Sequence, residues 1–159
     1  MIGATRYRLE RVGGRRRTVE GPDGEFLCVC KYLGPGEGGI DLIGEGGLLL
    51  GRVRGGTMPT PDYTAEMEAG FRARVYGIKP TLTLEAGEKR TLTEIRVEDV
   101  ADGWRILVWL VDRRVEASLR HQPRTGGTPW SLLVSPGVDP LHALASLHAA
   151  ERLLREGHG

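Results

Sequence analysis

The sequence predicts a mostly-β protein, a closed antiparallel barrel of about twelve strands around a buried C-terminal helix. Three observations carry that prediction. Short runs of strand composition are punctuated by glycine clusters, several runs alternate apolar and polar residues, and the C-terminal helical segment has no polar face in its first half.

The chain has 159 residues, a length that fits one domain over 1–159. A domain of this size buries ~70% of the surface its unfolded chain exposes, enough for a core without staples. Apolar residues make up 40% and charged residues 27%, the balance of a globular protein rather than a disordered one. The formal net charge is +1, so attraction to a polyanion must come from a local patch, and nucleic acid is disfavoured as a partner. Of 22 basic residues all but three are arginine, asparagine is absent and glutamine occurs once. That bias fits a GC-rich bacterial genome, and a thermophile's among them, where thermolabile amides are scarce. With no signal peptide and no run of 18 apolar residues, the expectation is a cytoplasmic, non-spanning protein, peripheral to a membrane if it touches lipid.

Candidate turns fall at Gly13-Gly14, Gly21-Pro22-Asp23-Gly24, Gly34-Pro35-Gly36, Gly46-Gly47, Gly55-Gly56, Gly87, Asp102-Gly103 and Gly126-Gly127. Between them eleven strands are expected, near residues 5–12, 15–20, 25–33, 39–43, 47–54, 71–77, 80–85, 90–99, 103–111, 114–121 and 129–135. The segment 59–69 fits either a short helix or a strand after a loop. In Thr81–Glu85 the two leucines share a face. In 104–110, Trp104, Ile106, Val108 and Leu110 share one face while Leu107 and Trp109 occupy the other, as in a strand covered on both sides. Closing so many strands into a barrel removes the two exposed edges an open sheet would leave. Cys28 and Cys30 lie two apart on one strand face, where a mutual bridge would be strained, and read as plain buried thiols.

The helix is expected over about residues 139–156, with Asp139 as N-cap, Pro140 at the first helical position and Gly157 beyond the end. Leu141, Ala143, Leu144, Ala145, Leu147, Ala149 and Ala150 point in every direction around the axis, and charge appears only from Glu151 onward. A helix apolar all round is a buried helix. About 16 residues at 1.5 Å give ~24 Å, the length of a seven-residue strand, so the helix fits the lumen of a barrel. A helix packed outside, as in lipocalin-type folds, would need a charged stripe through its first half.

The ending Trp130-Ser131-Leu132-Leu133-Val134-Ser135-Pro136-Gly137-Val138-Asp139-Pro140-Leu141, running into an apolar helix, resembles the end of the LURP-one-related proteins. These belong to the tubby C-terminal-like group with the phospholipid scramblases. Ile40-Asp41-Leu42-Ile43 with Leu48-Leu49-Leu50-Gly51-Arg52-Val53, and Trp104-Arg105-Ile106 through Arg113-Arg114-Val115-Glu116-Ala117, resemble that family's repeated strand–turn–strand unit. The chain departs from the pattern in its two helix histidines and in the Gly-rich loop at 34–39. The resemblance implies a tubby-like barrel of twelve strands around a central helix. It also implies a non-enzymatic binding module that touches anionic phospholipid headgroups or a protein partner.

Residues capable of chemistry are few. His142 and His148 stand six apart on the helix, about 240° around its axis, and cannot share one ligand. His121 precedes a loop and is expected in solvent, and His158 lies in the tail. Glu94, Glu98, Asp99 and Asp102 read as a solvated acidic strand end. Gly36-Glu37-Gly38-Gly39 and Gly44-Glu45-Gly46-Gly47 precede no helix, so they read as turns rather than phosphate loops. No catalytic residue, metal or cofactor is expected.

The strongest remaining signal is basic. With Gly13-Gly14 as a two-residue turn, Val12 pairs with Arg15, Glu10 with Arg17 and Arg8 with Val19. Arg6, Arg8, Arg15 and Arg17 then share an outer face, opposed only by Glu10, with Arg11 and Arg16 near the hairpin tip. Arg6, Arg8, Arg15, Arg16 and Arg17 are therefore the candidate anion-binding residues. A charged edge that merely resists aggregation explains the same residues. A different class of function is a barrel or helix-grip protein with an internal cavity for a small apolar ligand, or an enzyme built on one, which requires an empty lumen.

Overall fold

The computed structural model describes residues 3–34, 38–56, 62–123 and 127–156. Among them lie twelve strands: β1 (Thr5–Gly13), β2 (Arg16–Glu20), β3 (Phe26–Tyr32), β4 (Gly39–Ile43), β5 (Leu49–Gly55), β6 (Tyr63–Met67), β7 (Arg72–Ile78), β8 (Thr81–Ala86), β9 (Thr91–Asp99), β10 (Arg105–Val111), β11 (Arg114–His121) and β12 (Trp130–Val134). One helix, α1 (Pro140–Glu156), follows. Each strand pairs antiparallel with its neighbours in sequence, and β1 pairs with β12 to close the barrel. The open segment 59–69 supplies a strand, because Tyr63, Ala65 and Met67 alternate inward. Its residues 59–61, the turn residues Pro35, Gly36 and Gly126, Glu37, Gly157 and His158 lie outside the described residues.

The strand pleat makes this closure work. Leu9, Val19, Cys28, Cys30, Ile40, Leu42, Val53, Val75, Leu82, Leu84, Ile95, Leu107, Leu119 and Leu132 all point inward and are fully buried. The two cysteines are free thiols on one inner face, as their spacing predicts. The alternation read in 104–110 is found in the strand, with Leu107 and Trp109 on the core side. Arg105 and Leu107 point inward, whereas Trp104, Ile106 and Val108 are half-buried on the outside. An extra residue in β11 shifts its pairing between Trp109 and Leu110, while on the β9 side the pairing runs unbroken and sets Leu110 opposite Glu94.

The helix fills the lumen. Every residue from Ala143 to Leu154 is buried, and α1 meets β4 to β7 on one side and β10 to β12 on the other. Asp139 caps it, its Oδ1 accepting from Leu141 N at 2.8 Å and from His142 N at 3.4 Å. The small side chains of Ala143, Ala145, Ala149 and Ala150 keep the helix narrow enough for the barrel. Gly51 makes room on the facing wall, where a Cβ would strike the Met67 sulfur. No helix among the described residues is long and apolar enough to cross a membrane.

The β1–β2 hairpin differs from its prediction by one residue. Arg8 pairs with Glu20, Leu9 with Val19, Glu10 with Thr18 and Arg11 with Arg17, and a bulge follows before Gly13 pairs with Arg16. A one-residue change of register moves each side chain to the opposite face. Val19 is the only aliphatic residue of β2, and burying it against Leu9 fixes the parity. Arg17, two residues away, must then point inward.

Candidate functional site

The five arginines assigned to one site divide into two. Arg6, Arg8, Arg15 and Arg16 are exposed on the outside of the barrel, while Arg17 is buried inside at 5% exposure. The predicted four-arginine face therefore loses Arg17, for the parity reason just given.

On the outside, strand pairing sets Ser131 of β12 between Arg8 of β1 and Arg120 of β11. Arg6 joins them, its Nη1 donating to Ser131 Oγ at 2.8 Å. Arg120 lies 4.3 Å above the Trp104 ring. Arg8 is held by Glu10 at 3.2 Å, with both side chains more than half exposed. At the tip, the bulge leaves Val12 59% exposed between Arg11 and the pair Arg15 and Arg16. Sequence reasoning missed Arg120, which enters only through the β11–β12 register.

Inside, the end of the barrel where α1 finishes is polar. Arg17 from β2, Tyr32 from β3, Arg105 from β10, His121 from β11 and Trp130 from β12 stand at the tops of their strands and point inward. They meet His148, Glu151 and Arg152 from α1. Arg17 donates to the Leu9 and Thr128 carbonyls at 3.3 and 3.1 Å, and its guanidinium stacks 4.1 Å from the Trp130 ring centre. Trp130 touches His121 at 5.0 Å, His148 at 5.9 Å and Tyr32 at 6.1 Å between ring centres. Arg105 pairs with Asp99 at 2.7 Å, and Arg155 with Glu151 at 3.1 Å. Asp99 also meets Lys79 at 3.6 Å, so the acidic strand end read as solvated is partly an ion-pair cluster.

Burial sets the electrostatics here. His121, expected in solvent, is fully buried because it shares parity with Leu119 and Ala117. Desolvation, with positive charge from His148, Arg105, Arg155 and Arg17 added, pushes its pKa down to about 3. His148 falls to about 4 by burial, opposed by its hydrogen bond to the Leu144 carbonyl. Burial raises Glu151, an effect reduced by Arg155 and Arg152. The Tyr32 hydroxyl goes well up for the same reason, and the Cys30 thiol goes well up through its contact with Cys28 and burial. A thiol so raised is no nucleophile. His142 sits at the other end of the helix, stacked on Phe71 at 4.1 Å and 3.5 Å from Asp139, far from His148 as the helical spacing requires. Among the described residues, no group of three or more His, Cys, Asp or Glu is placed to hold a metal ion.

No protein-family model matches the chain. No curated protein matches it in sequence. In three dimensions it is similar to the X-ray structure of a protein from Arabidopsis thaliana, with a TM-score of 0.60 and 13% identity, over 98% of this chain and 92% of that one. The two share a fold. At that identity the likeness extends no further than the fold.

Proposed function

We propose that this protein is a non-enzymatic binding module of the LURP-one-related, tubby-like kind, and that it contacts anionic phospholipid headgroups. The sequence of the Trp130–Leu141 ending supports the family, and the barrel shared with the Arabidopsis protein agrees with it. The observation that carries the lipid reading is the convergence of Arg6, Arg8 and Arg120 around Ser131, continued by Arg15 and Arg16 at the hairpin tip. Guanidinium forks suit phosphate oxygens, and the exposed Val12 between basic residues suits the boundary of headgroup and acyl chain. A lumen occupied by α1 disfavours the apolar-ligand barrel.

The attraction is modest. Each basic side chain near an anionic membrane contributes about 1 kcal/mol. Five arginines offset by Glu10 give roughly 4 kcal/mol, enough for salt-sensitive association without stable anchoring.

Co-sedimentation with vesicles, with and without anionic lipid and at two salt concentrations, tests the reading. Wild type should pellet with anionic vesicles at low salt, and changing Arg6, Arg8, Arg16 and Arg120 to Glu should abolish this. Wild type that never pellets would leave the arginines as a solvated edge and make a protein partner the better reading.

A further inference from the structure

Strand β10 is apolar on both faces but covered on only one. Its inner face meets α1, whereas Trp104, Ile106 and Val108 lie half-buried on the outside of the barrel. Val108 pairs with Ser118 of β11, and Ser118 pairs with Leu133 of β12, a further half-buried apolar residue on the same outer surface. No described element lies over this surface, because the twelve strands form the wall and the one helix lies within it. Apolar side chains grouped on an outer wall mark a contact surface.

The charges beside the stripe say what fits it. Ile106 pairs with Arg120 on β11 and with Glu98 on β9, so an exposed cation and an exposed anion flank the same residue. Neighbouring strands lie about 4.8 Å apart, which puts the two at equal distances on either side of the stripe. Arg120 is held 4.3 Å above the Trp104 ring, and neither Arg120 nor Glu98 has an ion-pair partner among the described residues. In the next row, Val108 stands between Ser118 on β11 and Arg96 on β9, and Arg96 lies 4.0 Å from Glu94.

We infer that this face binds a second copy of the same chain, about a two-fold axis that lies in the contact surface and runs along β10. Rotation about that axis exchanges the two flanks. Arg120 of each copy then meets the partner subunit's Glu98, twice in the dimer, while Ile106 and Val108 meet their own counterparts. An axis across the strands at Val108 would instead set Arg96 against its own counterpart and Glu98 against the partner subunit's Glu94. Like charges disfavour that arrangement, so the axis along β10 is the self-complementary one. The convex wall of a barrel limits contact to β10 and the strand on each side, the width over which the charges alternate. Trp and Arg are the residue types that dominate binding at such surfaces, and the stacking on Trp104 orients the Arg120 guanidinium before contact. The inference does not rest on lipid binding. Arg120 belongs to both surfaces, so the test is run without lipid.

Sedimentation equilibrium at several protein concentrations reads the mass. Wild type should approach twice the 17.4 kDa chain mass as the concentration rises. Ile106→Asp should hold it at one chain mass, with far-UV circular dichroism to check that the barrel still forms. Arg120→Glu and Glu98→Arg should each weaken association at least about tenfold, since each sets like charges together twice. Combining the two exchanges the flanks and should restore association to within about threefold of wild type. Wild type that stays at one chain mass at every concentration would overturn the proposal. A dimer indifferent to these substitutions, or one lost in the single variants and not recovered in the double, would overturn it as well.

Discussion

The hydroxyl of Tyr32, on β3, lies 2.9 Å from Nε2 of His148, on the helix that β3 encloses. His148 Nδ1 is 2.9 Å from the Leu144 carbonyl, which can only accept, so Nδ1 carries the proton and Nε2 receives the tyrosine's. One side-chain hydrogen bond thus ties the central helix to the wall. Tyr32→Phe should cost about 1–3 kcal/mol, the penalty for a buried acceptor left unpaired. Urea unfolding of that variant against Tyr76→Phe, whose ring lies beneath Arg74 near the surface, is the measurement. Equal stability of the two variants would refute the tie.

The same buried histidines set the acid stability. Their folded-state pKa values, about 3 for His121 and about 4 for His148, lie below the ordinary 6.5. The unfolded chain therefore binds more protons as the pH falls through 6.5, and stability drops there. Each histidine contributes a slope of up to about 1.4 kcal/mol per pH unit between its two pKa values. Glu151, whose pKa is raised by burial, acts in the opposite sense and takes back part of this as the pH falls. The other charges facing the pair are the guanidinium groups of Arg17, Arg105, Arg152 and Arg155, each of which disfavours a protonated imidazole beside it. Denaturation midpoints measured from pH 7 to pH 4 should fall, and His121→Phe should flatten the curve. A midpoint independent of pH across this range would contradict the buried placement.

Much of the fold was legible because its signals are local. Glycine turns, the period of two in Thr81–Glu85, and an apolar surface all around Leu141–Ala150 each announce an element without help from its neighbours. What escaped depends on parity carried across pairs. A two-residue turn at Gly13-Gly14 predicts an outward Arg17, whereas the bulge in β1 shifts the register and turns it inward. Val19 held the missing signal, since a lone aliphatic residue in a short strand defines the inner face, and Arg17 shares that face. Leu119 and Leu107 give the same information for His121 and Arg105. The interior polar end was invisible for another reason. Its members come from β2, β3, β10, β11, β12 and α1, and barrel closure rather than adjacency in sequence brings them together.

The register correction has a direct consequence for neighbouring residues. Arg16 faces solvent, and Arg16→Ala should change stability by no more than about 0.5 kcal/mol. Arg17→Ala removes bonds to the Leu9 and Thr128 carbonyls and the stacking on Trp130, and should cost at least about 2 kcal/mol. Had the outer-face prediction been right, the two variants would behave alike. Thermal unfolding of both separates the cases.

The last prediction concerns the helix, on which the closed barrel depends. Leu144 and Leu147 are both fully buried, and α1 meets strands on opposite sides of the lumen. A helix outside the barrel would have one wet face, and some residue near the middle of its length would tolerate change. Here no such residue exists between Ala143 and Ala150, all of which are sealed. Leu144→Ala and Leu147→Ala should each cost about 2–5 kcal/mol, the spread reflecting how far the barrel can contract around the void. Ala145→Leu should also destabilise, by about 1–3 kcal/mol, because the wall already encloses that position and a larger side chain must displace it. The combination is diagnostic. A surface helix responds to one kind of change and shrugs off the other, whereas an enclosed one suffers from both. Denaturant unfolding in which Ala145→Leu proves neutral or stabilising would mean that the lumen has spare volume, and the cavity-binding alternative would then return.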